Sequence, residues 1–231
     1  MTTKLFAYLS YPLAPDTPAY GGESNAITIQ STRSMEKGES CNASHWSFSN
    51  HLGTHIDAPF HFFQNGKTIT DYPAEFWIFN KICMIFLPLD EGRWITWEDI
   101  SDQMDTSADL FLIKTEFSYR RQEQIYWENN PGLGAELGLR LREQCPNLRA
   151  VGFDFISLSR WQDREGGRAA HQAFLDPNGI GEPILLVEDM DLRTLDKELE
   201  LDSVWIVPLR VDGSDGAPVT VIAQLKSSSP N

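Results

Sequence analysis

Between Asn50 and Phe62 the chain reads Asn-His-Leu-Gly-Thr-His-Ile-Asp-Ala-Pro-Phe-His-Phe, and no other stretch limits its own backbone so strongly. A helix would align His51 with His55 but swing Asp57 away, and Gly53 and Pro59 both weaken a helix across this run. An extended or turning path keeps His51, His55 and Asp57 on one face, because side chains alternate along a strand. Ala58 precedes a proline and is therefore predicted to be extended, with a turn there that returns His61 toward the same place. The chain has five histidines, and four of them, His45, His51, His55 and His61, fall within 17 residues, where random placement puts fewer than one.

Two imidazoles and a carboxylate converging within seven residues make a nitrogen and oxygen site suited to zinc or manganese, with room for water. The three cysteines, Cys41, Cys83 and Cys145, form no C-x-x-C pair, so a metal here must be held by histidine and carboxylate. Their odd number and wide spacing fit reduced thiols better than a disulfide framework. His45 is read as an ordinary hydrogen-bonded core histidine.

With 231 residues, 41% of them hydrophobic and 23% charged, the chain is predicted to be one globular domain spanning 1–231. Its 33 acidic and 19 basic side chains leave a net charge of −14, a field that repels phosphate, so neither nucleic acid nor an anionic membrane is an expected partner. The apolar run Leu5 to Leu9 is too short for a signal-peptide core, and no run is long enough to span a bilayer. A cytoplasmic location is expected.

Strand-like runs are Ala26 to Thr32, Trp46 to Ser49, Lys81 to Leu87, Leu110 to Thr115, Ala150 to Phe155, Ile184 to Val187 and Ser203 to Val211. Several are continuous apolar runs, as in strands covered on both faces. Leu133 to Gln144 is predicted to be an amphipathic helix, with Leu133, Leu137 and Leu141 at i, i+4 and i+8 and Pro146 just beyond. A shorter helix is predicted over Trp97 to Gln103, after Thr96 as N-cap. Ser227 to Pro230 reads as a frayed tail. The aromatics near the histidines (Trp46, Phe48, Phe60, Phe62, Phe63, Tyr72, Trp77, Phe79) are candidates for a pocket wall, though most must serve the core. Arg160 and Trp161 are further pocket candidates.

The run His51-x-Gly53-Thr54-His55-x-Asp57-x-Pro59-x-His61-Phe62 resembles in full the H-x-G-T-H-x-D-x-P-x-H-F signature of the putative cyclase family, whose best-known members are bacterial kynurenine formamidases, with isatin hydrolases as relatives. The resemblance continues through Leu9-Ser10, Asp16-Thr17-Pro18, Thr115, Phe117-Ser118, Asn130 to Leu133, Gly152 to Asp154, Ser157 and the glycines and prolines of 208–223. It implies a swivelling β/β/α architecture, with a mixed sheet curved toward a barrel and helices outside. It also implies that His51, His55 and Asp57 bind one metal, with Asp57 bridging to a second held by His171 and a glutamate. The family's glutamate follows an apolar strand and precedes a short acidic stretch, which selects Glu188 in Ile184 to Leu192. His61 is the implied proton-transfer residue, and one or two ions of zinc or manganese per subunit the implied cofactor. A homodimer or larger homo-oligomer is implied as well, with Leu5 to Pro18 a candidate contact. Three departures bear on substrate more than on metal: the long segment Asp176 to Pro183, Ser159 in place of an acidic residue, and Tyr8 in place of another.

Amide or ester hydrolysis at neutral pH needs a nucleophile better than water, a positive centre for the developing oxyanion, and a group that moves a proton; a divalent metal meets the first two needs and His61 the third. A serine nucleophile finds little support, since no G-x-S-x-G elbow surrounds Ser157. Three functions follow: hydrolysis of an N-formyl aromatic amine such as N-formylkynurenine in tryptophan catabolism, opening of a cyclic amide or an ester, or metal and small-ligand binding without turnover.

Overall fold

A computed structural model of the chain describes residues 5–226, so the tail at Ser227 to Pro230 lies outside the described residues. The parallel part of the main sheet comes from the continuous apolar runs. Strands β6 (Ile82–Phe86), β8 (Leu110–Lys114), β10 (Ala150–Phe153) and β11 (Leu185–Glu188) pair in parallel. The antiparallel part continues from β11 through β4 (His55–Asp57), β13 (Gly216–Leu225) and β12 (Leu201–Pro208) to β5 (Ile78–Phe79), with β1 (Leu5–Tyr8) also on β13. Asn80 and Lys81 alone join β5, at one end of this order, to β6 at the other, so the sheet is nearly closed.

Alternation sorts each strand between two cores. Leu110, Leu112, Leu185, Val187 and Ile56 pack inside the curved sheet with Val204, Ile206, Val221 and Ala223. Phe111, Ile113, Val151, Phe153 and Leu186 face outward under two helices, α2 (Ala135–Gln144) and α3 (Arg164–Leu175). Those helices approach closely: a Cβ at Gly138 would lie 2.6 Å from the Phe174 ring. The fold is thus a single α/β domain with few helices, as expected.

The remaining elements are small. The short helix α1 (Ile125–Glu128) precedes β9 (Gly132–Leu133), which pairs with β7 (Trp94–Ile95). That pairing takes Gly132 and Leu133 out of the helix predicted over Leu133 to Gln144, which starts at Ala135 instead. Trp97 to Gln103 is not a helix but a turn followed by a 3-10 turn at Ser101–Gln103. Only Ile100 there is fully buried, so no apolar stripe supports longer helix. The helix α3 was not expected from the sequence; Asp163 caps it by accepting from the Gly166 N–H at 2.9 Å, and it buries Gly167, Ala170, His171, Phe174 and Leu175.

Strands β2 (Ile27–Arg33) and β3 (Ala43–Phe48) form a separate two-stranded ribbon whose side chains are mostly exposed. His45 lies on it and is exposed, so the core role expected for it is wrong. No helix among the described residues is long and apolar enough to cross a membrane.

Candidate metal centre

The antiparallel register sets His55 directly opposite Glu188 and Asp57 opposite Leu186, so His55, Asp57 and Glu188 share the outward face of the sheet. Helix α3 crosses that face and brings His171 to it. Turn chemistry explains the motif residues that are not ligands. Gly53 adopts φ +67°, and a Cβ there would meet Leu13 at 2.7 Å, so the turn into β4 requires glycine. Thr54 Oγ1 donates to the Asp189 carbonyl at 2.6 Å, tying the turn to the strand end that carries Glu188. Ala58 is extended at φ −102° and ψ 161°, and Pro59 opens the 3-10 turn that ends at His61.

Four side chains meet at the bottom of a cavity of about 280 Å³ that is also lined by Pro18, Tyr20, Phe62 and Ile156. His55 Nε2 lies 3.5 Å from Asp57 Oδ1 and 3.4 Å from Glu188 Oε2. His171 Nε2 lies 3.5 Å from Asp57 Oδ2 and 3.6 Å from Glu188 Oε1. These gaps exceed the ~2.7–2.9 Å of a charge-assisted hydrogen bond. Both rings use Nδ1 elsewhere: His55 donates it to the Gly53 carbonyl at 2.8 Å, and His171 to the Gly167 carbonyl at 2.9 Å. A carbonyl only accepts, so Nδ1 carries the proton and Nε2 is the atom turned to the carboxylates. This is the usual support of a metal-binding imidazole.

Exposure separates these four from a second group. Side chains of His55, Asp57, His171 and Glu188 are 5%, 2%, 6% and 4% exposed, whereas His51, His61 and Asp215 are 21%, 28% and 33% exposed. In the second group His51 bonds Asp57 Oδ1 through Nδ1 at 2.8 Å and Asp215 Oδ2 through Nε2 at 2.9 Å. His61 donates Nδ1 to Asp215 Oδ2 at 2.7 Å, and its ring lies 4.1 Å from that of His51, tilted by 32°. A Cβ at Gly216 would lie 2.6 Å from the His51 ring, so glycine there is what admits the ring.

Burial favours neutral His171, yet the facing carboxylates of Asp57 and Glu188 outweigh it and push the pKa up to about 10. The same opposition raises His51 to about 9, through Asp57 and Asp215. Burial also works against an ionised Asp57, but the facing His171, the hydrogen bond with His51 and the charge of His55 hold it well below the usual carboxylate range. A divalent cation answers the same need. Ligand atoms of His55, Asp57 and Glu188 lie within 4.8 Å of one another, as do those of His51, Asp57 and His61, so the donors fit such an ion.

All six residues singled out in the sequence therefore sit in one place, but grouped differently: His55 sides with His171 and Glu188, and His51 with His61. Asp57 belongs to both groups. Asp215 was missed; it is 154 residues downstream of His61, and nothing in its local sequence marks it. Of the eight aromatics near the histidines, only Phe62 lines the cavity, while Trp161 borders the adjoining basin and Arg160 lies outside both. Ser159 lines the cavity mouth, its Oγ 3.3 Å from His171 Nδ1. Asp154, Thr115 and Ser118 form a buried knot instead: Asp154 accepts from the N–H groups of Thr115 and Glu116 and the hydroxyls of Thr115 and Ser118, holding Glu116 at φ +64°.

A nearly closed mixed sheet with a histidine and carboxylate cluster on its outer face, under a helix, defines an α/β protein whose clustered side chains could hold a cation. The chain belongs to the family described as Putative cyclase, whose model matches residues 7–160. A kynurenine formamidase of Bacillus mycoides is 26% identical over 222 residues, covering 96% of this chain and 98% of that protein. An uncharacterised protein of Haemophilus influenzae is 30% identical over 110 residues, 46% of this chain and 78% of that one. Isatin hydrolase A from Labrenzia aggregata shares the fold with a TM-score of 0.78 at 21% identity, covering 96% of this chain and 93% of its own. A structure described as a potential metal-dependent hydrolase with cyclase activity does so with a TM-score of 0.75 at 20% identity, over 99% and 100% of the two chains.

Proposed function

We propose that this protein is a divalent-metal-dependent hydrolase that cleaves the C–N bond of a small aromatic amide, with an N-formyl aromatic amine such as N-formylkynurenine as its substrate. One observation carries the reading: Nε2 of two imidazoles and the oxygens of two carboxylates converge at 3.4–3.6 Å with both Nδ1 atoms held by backbone carbonyls. The kynurenine formamidases that align over nearly the whole chain supply the choice of substrate. In this reading His51, His55, Asp57, His171 and Glu188 would hold one or two ions of zinc or manganese. Such an ion, when bound, lowers the pKa of water toward about 7 and polarises a carbonyl.

The chain's own residues do the rest. His61 takes the proton of the attacking water at Nε2 and delivers it to the leaving nitrogen. Its Nδ1–H, donated to Asp215, settles which nitrogen is free, and the Asp215 carboxylate stabilises the imidazolium that forms. Phe62 stacks on the His171 ring at 4.7 Å and walls the cavity against water.

The working unit is proposed to be a homodimer or larger homo-oligomer in the cytoplasm, where the three free thiols stay reduced. A groove of about 1060 Å³ runs beneath the β2–β3 ribbon, lined by Ile29 and Trp46 on one side and by Tyr8, Leu13 and Val207 on the other. A two-stranded ribbon is marginal by itself, and a second copy seated on it supplies the missing support. Sedimentation showing a fully active monomer removes this part. The function itself is tested by assaying zinc- and manganese-loaded protein against N-formyl aromatic amines, lactams and aryl esters, with metal content measured on each sample. Turnover of the formyl amines is expected to dominate; turnover of none, with metal bound, leaves a binding protein.

A further inference from the structure

Tyr20 occupies the second position of a tight turn, closed by the Gly22 N–H donating to the Ala19 carbonyl at 2.9 Å. Gly21 follows at φ +81°, a conformation that suits glycine at the third position of such a turn. The turn is wedged between two indoles: a Cβ at Gly21 would lie 2.4 Å from the Trp161 ring, and one at Gly22 2.5 Å from Trp127 Nε1. The Tyr20 ring meets Trp161 edge to face at 5.1 Å, and the backbone N–H of Trp161 donates to Asn130 Oδ1 at 3.1 Å. The phenol is thus held in place by backbone and packing, independently of its hydroxyl.

That hydroxyl is buried and has no hydrogen-bond partner in the protein. Buried hydroxyls seldom stay unpaired, because an unmet donor forfeits the hydrogen bond it had with water. Tyr20 lines the same cavity as His55, Asp57, His171 and Glu188. Burial, followed by the charge of Glu188, raises its pKa to about 12 against the opposing pull of Arg164, so it keeps its proton at any working pH.

We infer that the Tyr20 hydroxyl is a catalytic hydrogen-bond donor to the carbonyl oxygen of the bound substrate. The inference rests on the hydrolase reading for its chemistry. As the water oxygen bonds to the carbonyl carbon, the C=O π pair moves onto the oxygen, and the Tyr20 O–H donates to that growing negative charge without transferring its proton. The oxygen lone pair then re-forms the C=O bond as the C–N bond breaks, and the nitrogen receives the water proton carried by His61. Tyr20 therefore ends the cycle unchanged.

The test is Tyr20→Phe in the full, metal-loaded protein. This change keeps the edge-to-face contact and deletes only the donor. The expected result is a fall in kcat of about 10²-fold, the usual worth of one oxyanion donor, with metal content and melting temperature unchanged and KM altered less than kcat. Calorimetric titration with benzamide, a carbonyl probe that needs no turnover, is expected to show several-fold weaker binding. Unchanged kcat and unchanged benzamide affinity overturn the inference, as does loss of metal in the variant, which makes the hydroxyl a support for Glu188. If wild type turns over no amide or ester, the hydrolase reading fails, and the benzamide titration still decides whether Tyr20 meets a carbonyl.

Discussion

The two halves of the candidate centre use the same side-chain types under different conditions. In the inner half, His55, His171, Asp57 and Glu188 are nearly sealed from solvent, their Nδ1 atoms are fixed by backbone carbonyls, and their facing atoms stand too far apart to bond one another well. In the outer half, His51, His61 and Asp215 are partly exposed and joined by short hydrogen bonds of 2.7–2.9 Å. Four rigid donors around a gap suit the holding of a cation. The short-bonded pair His61 and Asp215, with His61 lining the cavity, suits the moving of a proton, while His51 ties that pair to the cation-holding side through Asp57. Asp57 touches both halves, so it is the residue through which one can affect the other.

The comparison breaks first at Asp57. Asp57→Ala is expected to lose more metal than any single histidine variant, measured by elemental analysis after dialysis, and to lose the rise in melting temperature that an ion binding only the native state confers. Metal content equal to wild type would sink the assignment of the inner half.

Next in size is His61→Ala, for which kcat is expected to fall by about 10² to 10⁴ while metal content and melting temperature stay nearly constant. Release of metal by this variant would move His61 into the holding half. Asp215→Asn keeps the shape but removes the charge that His61 and His51 share, and a drop in kcat of about 10- to 100-fold is expected, with the metal retained. Full activity in this variant would reduce Asp215 to a surface carboxylate.

The smallest effect is on stability against pH in protein stripped by chelator. His51 and His171 have folded pKa values raised to about 9 and about 10, above the ~6.5 of an unfolded histidine. A raised histidine contributes stability that is fully present below pH ~6.5 and is lost as pH rises through the folded value. The stripped protein is therefore expected to melt progressively lower from pH 7 to 10. Metal-loaded protein should show a shallower decline, since an ion displaces these protons. Equal slopes would mean that the two halves do not compete for the same carboxylates.

Much of the centre was legible because four of its residues lie in one short run. Gly53, Thr54 and Pro59 shape a backbone that can go only one way, so His51, His55, Asp57 and His61 were recoverable from local rules. The parallel strands were legible too, since a strand buried on both faces is apolar along its length, as β10 is and as β8 and β11 are up to their last residues, Lys114 and Glu188. Helix α3 was hidden by Gly166 and Gly167, which depress helix propensity although Gly167 is buried there and its carbonyl holds His171. Trp97 to Gln103 erred in the other direction: Thr96 and the acidic first turn looked like a cap, but Asp99 instead closes a turn by accepting from Thr96 and Arg93.

The sequence by itself determined the chemistry on offer, namely nitrogen and oxygen donors without cysteine, and the extended, turning path that presents three of them together, because those follow from residue type and from dihedral limits over a few bonds. Only the tertiary structure decided who partners whom. The β4–β11 register pairs His55 with Glu188, the crossing of α3 adds His171, the return of β13 delivers Asp215, and the turn before Gly22 brings the Tyr20 hydroxyl to the same cavity. Those groupings depend on long-range sheet register and helix packing, which alternation within a segment constrains in face but not in neighbour.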